Sequence, residues 1–273
     1  MTKKISFFKI LVWAAGLFTL GMLLFIVGYI FYNGIPHLSA SMFEWDYTTD
    51  NVSMMPSIIS TLIIIGASLL IAGPVGIFTG FYLVEYADQK SKFLPIIRLA
   101  TDTLAAVPSI VYGLFGMLLF VYQFEWGYSH FAGILTVTIM ILPIIISSTE
   151  EALRSVNDSL RMGSYGLGAG RLRTIFTVVL PVAMPGILSG VILAIGRIVG
   201  ESAAFIYTLG SSSSMISSLG DSGRTLAVHM YMLSQEGLHV DESYAVASIL
   251  ILIVLFINGL SNLIGNRLGS GGK

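Results

Sequence analysis

Residues 182–210 read VAMPGILSGVILAIGRIVGESAAFIYTLG, an almost wholly apolar stretch that carries Arg197 and Glu201 in its second half. Residues four apart on a helix lie one turn apart on one face, so these two side chains are predicted to meet. At ~1.5 Å of rise per residue from Pro185, Arg197 lies ~18 Å along a hydrocarbon core that is ~30 Å thick. A charge near that mid-depth costs ~2.5–3.5 kcal/mol to insert, so we expect the pair to face the protein interior and to serve a purpose.

Two interpretations of this pair stay open at this point. In the first, the two charges merely neutralise each other and hold neighbouring helices together. Alternatively, they form a charged site on a solute pathway, where the planar guanidinium of Arg197 makes bidentate hydrogen bonds to a phosphate or carboxylate. Glu201 would then neutralise Arg197 while the pathway is empty. Hydroxyl groups nearby could share in coordination or serve plain helix packing; they belong to Ser189, Ser202 and Thr208.

The composition sets the class of protein. Of 273 residues, 55% are hydrophobic and only 11% are charged, whereas a soluble domain carries about 25% charged residues. This indicates a polytopic membrane protein. The net charge of -1 argues against nucleic acid as a partner. Because the chain has no cysteine, disulfides, thiolate metal sites and cysteine nucleophiles are excluded.

The hydropathy pattern predicts an all-α membrane protein with six spanning helices in one domain, residues 1–273. The predicted spans are 10–32, 57–84, 108–122, 131–148, 182–210 and 244–264. The third span is preceded by an amphipathic surface helix in which Arg98 and Asp102 form a surface pair, and the fourth is broken by Pro143. Residues 211–242 are predicted to be a long loop.

The basic residues predict the orientation. Of the 14 Lys and Arg residues, only Arg224 lies on the predicted outer side and only Arg197 lies within the membrane. The others lie on the cytoplasmic side if both termini do: Lys3, Lys4, Lys9, Lys90, Lys92, Arg98, Arg154, Arg161, Arg171, Arg173, Arg267 and Lys273.

Catalysis by this chain is poorly supported. The four histidines, His37, His130, His229 and His239, all fall in predicted external loops, so a serine hydrolase within the membrane would have no base at depth. The chain has no glycine-rich phosphate loop followed by Lys, so any nucleotide hydrolysis belongs to another chain. The polar segment 149–180 contains an amphipathic helix, then a glycine-rich bend, then a helix from Arg171 that is predicted to stop at Pro181. It could be a solvated connector or dock on a cytoplasmic partner.

Residues 161–181, RMGSYGLGAGRLRTIFTVVLP, resemble the cytoplasmic "EAA" loop of type I ABC importer permeases. In that loop a glycine precedes a hydrophobic-x-Leu-Pro ending by ten residues, as Gly168 does here. The resemblance implies the type I permease fold and a coupling loop, residues 149–180, that fits a groove on an ATPase subunit. The coupling residues it implies are Arg161, Gly163, Ser164, Gly168, Ala169, Leu180 and Pro181. Met162 stands where the family has Glu, which puts any polar contact of that Glu in doubt.

A second group of motifs narrows the resemblance. RIVGESAA, residues 197–204, is similar to the Arg-x-x-Gly-Glu-Thr-Ala signature of phosphate permeases, with Ser202 in place of Thr. PSIVYGLFG, residues 108–116, and FYLVEYA, residues 81–87, also resemble that subfamily, and its PstA type is favoured over its PstC type. This implies that Arg197, Glu201 and Ser202 line a phosphate pathway.

The resemblance also implies the partners and the setting. They are a PstC-type permease, a PstB-type ATPase dimer that holds ATP and Mg²⁺, and a PstS-type phosphate-binding protein, with membrane lipid around the chain. The chain itself would bind no cofactor or metal and would be a non-catalytic permease in a bacterial or archaeal cell membrane. Two rivals stay open: a type I permease for another solute, such as sulfate, molybdate or an amino acid, and a stand-alone ion-driven carrier or channel.

Overall fold

The computed structural model describes residues 7–88 and 90–270, and within them every regular element is a helix. The α-helices are α1 Phe7–Gly34, α2 Met55–Phe81, α3 Phe93–Ala106, α4 Ser109–Gly116, α5 His130–Arg154, α6 Asp158–Gly166, α7 Arg171–Thr174, α8 Leu180–Val199, α9 Ala203–Thr208, α10 Leu226–Glu236 and α11 Val240–Ser270. Wide π-helical turns extend α2, α4 and α7; they are Tyr82–Tyr86, Met117–Gln123 and Ile175–Val179. The predicted cytoplasmic positions of Lys3, Lys4 and Lys273 lie outside the described residues.

Five helices in the described part of the chain are long and apolar enough to cross a membrane, and the number rises to six if one bent pair is counted as a span. The bent pair is α3 with the helix Ser109–Gln123, which meet at 97°. Their bend is joined by a hydrogen bond of 2.8 Å from the Tyr112 hydroxyl to the Leu104 carbonyl. The predicted span 108–122 is therefore half of a bent unit: at 8 and 7 residues, its two pieces rise only ~22 Å.

The core lies where α2, α5 and α8 pack against one another. Ile64, Val137, Met140, Ile141 and Ile198 are buried there. Helix α1 packs on α11 and otherwise leaves its apolar surface exposed, as expected for a helix that faces lipid or another subunit.

Two prolines do not end their helices as predicted. Pro143 lies inside α5, which runs on to Arg154, so the predicted break in the fourth span is wrong. The helix from Arg171 does not stop at Pro181 either, because a π-turn leads into α8 and one span runs from Arg171 to Val199. Pro181 lies in the first turn of α8, where its missing N–H matters little, and neighbouring helices satisfy the groups that a proline frees within a membrane.

The segment 211–242 is not one loop, because it contains α10. Its first part folds back toward the start of α5: the His130 and Phe131 amides donate to the Asp221 and Leu219 carbonyls at 3.1 and 3.0 Å. The Leu226 amide donates to Thr61 Oγ1 near the start of α2 at 2.9 Å. The end of the molecule opposite segment 149–180 is thus closed by packed backbone.

Candidate functional site

The apolar stretch that carries Arg197 and Glu201 is a discontinuous helix. Helix α8 ends at Val199, and α9 begins at Ala203. Just beyond α8, the Gly200 and Glu201 amides donate to the Gly196 and Ile198 carbonyls at 3.2 Å and close its last turn. The prediction of one continuous helix over 182–210 is therefore wrong. Discontinuous spanning helices are a recurrent feature of solute sites in transporters.

Each charge lies at a helix end that complements it. Arg197 is in the last turn of α8, where the helix dipole is negative. Glu201 is buried, and its Oε1 accepts the Ala204 amide at 3.0 Å at the start of α9, where the dipole is positive. Among the described residues no carboxylate lies within 4.0 Å of the Arg197 guanidinium. The predicted Arg197–Glu201 ion pair is wrong, because helix ends stabilise both charges separately.

Arg197 lines a cavity of about 580 Å³ between α5, α8 and α11. The other lining residues are Ile144, Ser189, Ile192, Leu193, Gly196 and Asn258. The Arg197 Nε donor and the Asn258 Oδ1 acceptor are both buried without a hydrogen-bond partner. Apolar walls, one cation, one amide and one hydroxyl suit a small oxyanion, because a guanidinium binds such a group through charge and paired N–H donors.

The hydroxyl groups near Arg197 differ in what they contact. Thr208 is fully buried, and its Oγ1 donates to the Ala204 carbonyl of its own helix at 2.8 Å, beside Gly116 of α4. It therefore serves helix packing. Ser189 lines the cavity, and Ser202 is half-buried at the start of α9. Ser202 stays a predicted pathway residue, and for Ser189 both coordination and helix packing stay open.

Close packing holds α9 against α4. A Cβ added to Gly113 of α4 would lie 2.8 Å from the Ala204 Cα, so only glycine fits there. The motif that contains Gly113 and the motif that contains Ala204 were singled out separately in the sequence, and the structure brings them into contact.

The segment 149–180 is anchored to the end of α2 by Arg161. Its Nε and Nη2 donate to Oε1 of the buried Glu85 at 3.1 and 2.9 Å. Its remaining N–H groups are directed to the Asp158 carboxylate and to the Val156 and Leu153 carbonyls at 2.7–3.0 Å. Arg161 is thus an internal anchor of segment 149–180. Glu85 was missed as a site residue, although it is the lone acid in the FYLVEYA motif.

The turn between α6 and α7 projects from this anchor. Gly168 has φ +81, a left-handed conformation that other residues adopt only with strain, and its space is open. The Ser164 and Thr174 hydroxyls share a hydrogen bond of 2.8 Å, and the Ala169 amide donates to the Ser164 carbonyl at 3.1 Å. Leu167 at the tip is 92% exposed. This turn is ordered by its own contacts and presents apolar side chains.

Arginines surround a cavity of about 460 Å³ beside this anchor. Arg98 and Arg154 both contact Glu150 Oε1, at 2.6 and 2.7 Å. Arg98, which was predicted to pair with Asp102 on its own helix, thus forms an ion pair with a residue of α5. Arg171 lies 4.8 Å above the Tyr86 ring. These contacts tie α3 to α5, and α7 to the turn that extends α2, at the end of the molecule that carries segment 149–180.

His130 begins helix α5 and is fully buried, so its predicted place in an external loop is wrong. Its Nδ1 lies 2.7 Å from the Asp221 carbonyl and must donate, because a carbonyl only accepts. Its Nε2 then accepts from Ser60 Oγ at 3.0 Å. Ser60 is itself buried, so this contact has the character of a structural link between α2 and α5.

Comparison with known proteins agrees with this architecture. Residues 72–270 match the family model described as binding-protein-dependent transport system inner membrane component. The probable ABC transporter permease protein YqgI of Bacillus subtilis is 31% identical over 262 residues, which cover 88% of this chain and 87% of the relative. The phosphate transport system permease protein PstA 2 of Mycobacterium bovis is 33% identical over 246 residues, or 86% and 81% of the two chains. A bacterial ABC transporter involved in the import of the acidic polysaccharide alginate shares the fold, with a TM-score of 0.66, 17% identity and coverage of 94% and 95%.

Proposed function

The chain belongs to the family of binding-protein-dependent transport system inner membrane components, and from that premise we propose that it is the PstA-type permease subunit of an ATP-driven phosphate importer. The observation that carries the proposal is the Arg197 guanidinium, which faces a largely apolar cavity without a carboxylate partner among the described residues. The relatives named as phosphate permeases support phosphate as the solute.

Phosphate binding would meet an unpaired Arg197. Because Glu201 is engaged with the start of α9, the incoming anion does not have to displace a carboxylate. A buried donor without a partner costs about 1–3 kcal/mol, so the anion relieves a penalty that the empty site carries. Glu201 then acts at a distance: it holds the start of α9 and repels an anion that would move past Arg197. Ser202 and Ser189 add hydroxyl donors.

The coupling loop would convert ATP-driven movement of the ATPase pair into movement of α2 and α5. We place its end of the molecule in the cytoplasm, where the α6–α7 turn fits an ATPase groove with Leu167 at its tip. The Arg161–Glu85 contact is close and nearly buried, so a displacement of α6 is transmitted directly to α2. A PstB-type pair would bind ATP and Mg²⁺ and hydrolyse the nucleotide, a PstC-type permease would complete the pathway, and a PstS-type protein would deliver phosphate. This chain would hold no cofactor or metal.

The test is uptake of radiolabelled phosphate by vesicles that contain the chain with its partner permease, ATPase and binding protein. We expect Arg197→Ala to lose at least tenfold in uptake, since a hydrogen bond to a charged group contributes about 1.5–3 kcal/mol. Arg197→Lys keeps the charge and should retain part of the uptake. Glu201→Gln keeps an acceptor for the Ala204 amide and should be milder than Glu201→Ala.

The same vesicles separate the rivals. Wild-type uptake by both Arg197→Ala and Glu201→Ala in assembled complexes would remove this site from the mechanism. Stronger inhibition of labelled-phosphate uptake by sulfate, molybdate or an amino acid than by unlabelled phosphate would point to another solute. Uptake without the ATPase would point to an ion-driven carrier.

A further inference from the structure

A second group of unsatisfied polar atoms lies at the end of the molecule opposite the coupling loop. Arg224 is 6% exposed, and its Nε and Nη2 are buried without hydrogen-bond partners. His229 of α10 is fully buried, and its ring faces the Val52 backbone without a hydrogen bond of standard geometry. The ring of Tyr47 contacts both residues: it lies 4.6 Å from Arg224 Cζ and is edge-on to the His229 ring at 6.0 Å.

The charge of Arg224 is not balanced by the described residues. No carboxylate among them lies within 4.0 Å of its guanidinium. Asp221, three residues earlier, is engaged elsewhere: its Oδ2 accepts from Ser217 Oγ at 2.8 Å and from the Ser217 and Ser218 amides at 3.0 and 2.7 Å. Glu44 accepts from Asn51 Nδ2 at 2.9 Å.

His229 adds a neutral ring to this positive charge. Burial and, next, the charge of Arg224 lower the pKa of His229 to about 3. The imidazole is therefore neutral at physiological pH and offers one N–H donor and one acceptor nitrogen. The cluster thus combines one cation, two unpaired N–H groups of Arg224 and a neutral imidazole, nearly all removed from water.

An anion is the ligand that satisfies this combination. An unpaired buried polar group destabilises the protein, and an unpaired buried charge destabilises it more. A water molecule would satisfy donors but leave the charge unbalanced. We propose that Arg224 and His229 form a second oxyanion site for a phosphate-class ligand, with the Arg224 Nε and Nη2 donating to one edge of the anion. The Tyr47 ring covers the guanidinium and has to turn aside for the anion to enter.

The position of this site gives it a role in sequence with Arg197. Helix α10 packs against α2, α9 and α11, and the Gly223 amide beside Arg224 donates to the Leu209 carbonyl just beyond α9 at 3.3 Å. The short helix α9 therefore separates the two arginines. If the proposed function holds, this arrangement makes Arg224 the outer binding site, which the anion meets before Arg197.

The test uses the complex of the chain with its partner permease and ATPase in nanodiscs, without the external binding protein, and tungstate as a heavy tetrahedral oxyanion. Electron cryomicroscopy should show tungstate density within about 4 Å of the Arg224 guanidinium, the reach of a hydrogen-bonded ion pair. The density should remain in Arg197→Ala and be lost in Arg224→Gln. Absence of density in the wild type, or a partner chain's carboxylate in its place, would overturn the proposal.

Uptake gives the second readout. Arg224→Gln should raise the KM for phosphate delivered by the binding protein about tenfold or more, and Arg224→Lys should restore part of it. His229→Gln, which keeps a neutral donor and acceptor, should be milder than His229→Leu, while His239→Gln at a partly exposed position should match the wild type. An unchanged KM in Arg224→Gln would also overturn the site. If tungstate binds at Arg224 but the complex does not import phosphate, the proposed function fails and the anion site stands.

Discussion

Asn258 lines the same cavity as Arg197 and offers a buried polar atom there that complements the arginine's buried Nε. A small rotation that joins Asn258 Oδ1 to the Nε–H would fix the guanidinium and leave its two Nη groups as a fork for the anion. We predict that Asn258→Leu raises the KM for phosphate about tenfold with little change in maximal uptake, because a hydrogen bond to a charged group is lost. The measurement is uptake by vesicles over a range of phosphate-loaded binding protein.

A double-mutant cycle tests whether Asn258 acts through Arg197. Lysine has no Nε–H in a planar fork, so Asn258→Leu should add almost nothing in an Arg197→Lys background. Asn258→Asp keeps the acceptor but adds a charge that neutralises Arg197, and it should impair uptake as well. Effects of Asn258→Leu and Arg197→Lys that simply add would contradict the assignment.

The sequence identified the functional charged residues better than it identified the residues that contact them. Arg197 stands out because a cation within an apolar stretch is costly. The ion pair with Glu201 was predicted from helical spacing, and it failed because the helix ends between the two residues. Asn258 had no detectable signal, since a lone Asn in an apolar helix is compatible with many packing roles. Its relation to Arg197 depends on the contact between α8 and α11.

The turn between α6 and α7 depends on one backbone conformation. Gly168 holds φ +81, and a Cβ added there would meet no atom within 4 Å, so an alanine would be strained by its backbone alone. We predict that Gly168→Ala distorts the turn at a cost of about 1–2 kcal/mol and weakens the stimulation of ATP hydrolysis by the binding protein. The measurement is the ATPase rate of the purified complex with and without phosphate-loaded binding protein.

Gly170 supplies the matched control. It lies in the same turn, has open space and adopts φ -73, which alanine accepts without strain. Gly170→Ala should therefore couple like the wild type. Equal stimulation in the Gly168→Ala and Gly170→Ala complexes would show that the left-handed turn is not needed for coupling.

The sequence predicted the type of the secondary-structure elements more reliably than their boundaries. The loop resemblance pointed to Gly168, and its left-handed backbone explains why glycine occupies that position. The stops at Pro143 and Pro181 were wrong because soluble-protein rules treat proline as a helix end, whereas an apolar environment favours closing every backbone hydrogen bond within a helix. The π-turn before Pro181 has no simple sequence signature, so the continuous span from Arg171 to Val199 could not be anticipated.

The whole molecule combines an inner bundle of α2, α5 and α8 with polar contacts at both ends. Arg161, Glu85 and Glu150 hold the coupling-loop end, and the segment that carries Arg224 closes the other. The number of spans followed from hydropathy, apart from the bent pair of α3 and α4. The closing segment could not be predicted, because its contacts join residues far apart in the chain.

The orientation of this molecule in the membrane can be tested directly because the chain has no cysteine. We predict that Leu167→Cys, at the exposed tip of the coupling loop, reacts with a membrane-impermeant maleimide only after the cells are opened. Ser214→Cys, in an exposed part of the segment before α10, should react in intact spheroplasts. The physical reason is the positive-inside bias, which places the arginine-rich coupling end in the cytoplasm.

The wild-type chain is the control for this labelling, since it has no thiol to react. Ser214→Cys replaces an exposed residue and is expected to transport like the wild type. Leu167→Cys is labelled in the chain expressed without its ATPase, because the proposed ATPase groove would cover this position in the complex. The reversed pattern, with Leu167→Cys labelled from outside, would place Arg224 in the cytoplasm. The anion would then meet Arg197 before Arg224, and the proposed direction of import through the two arginines would have to be inverted.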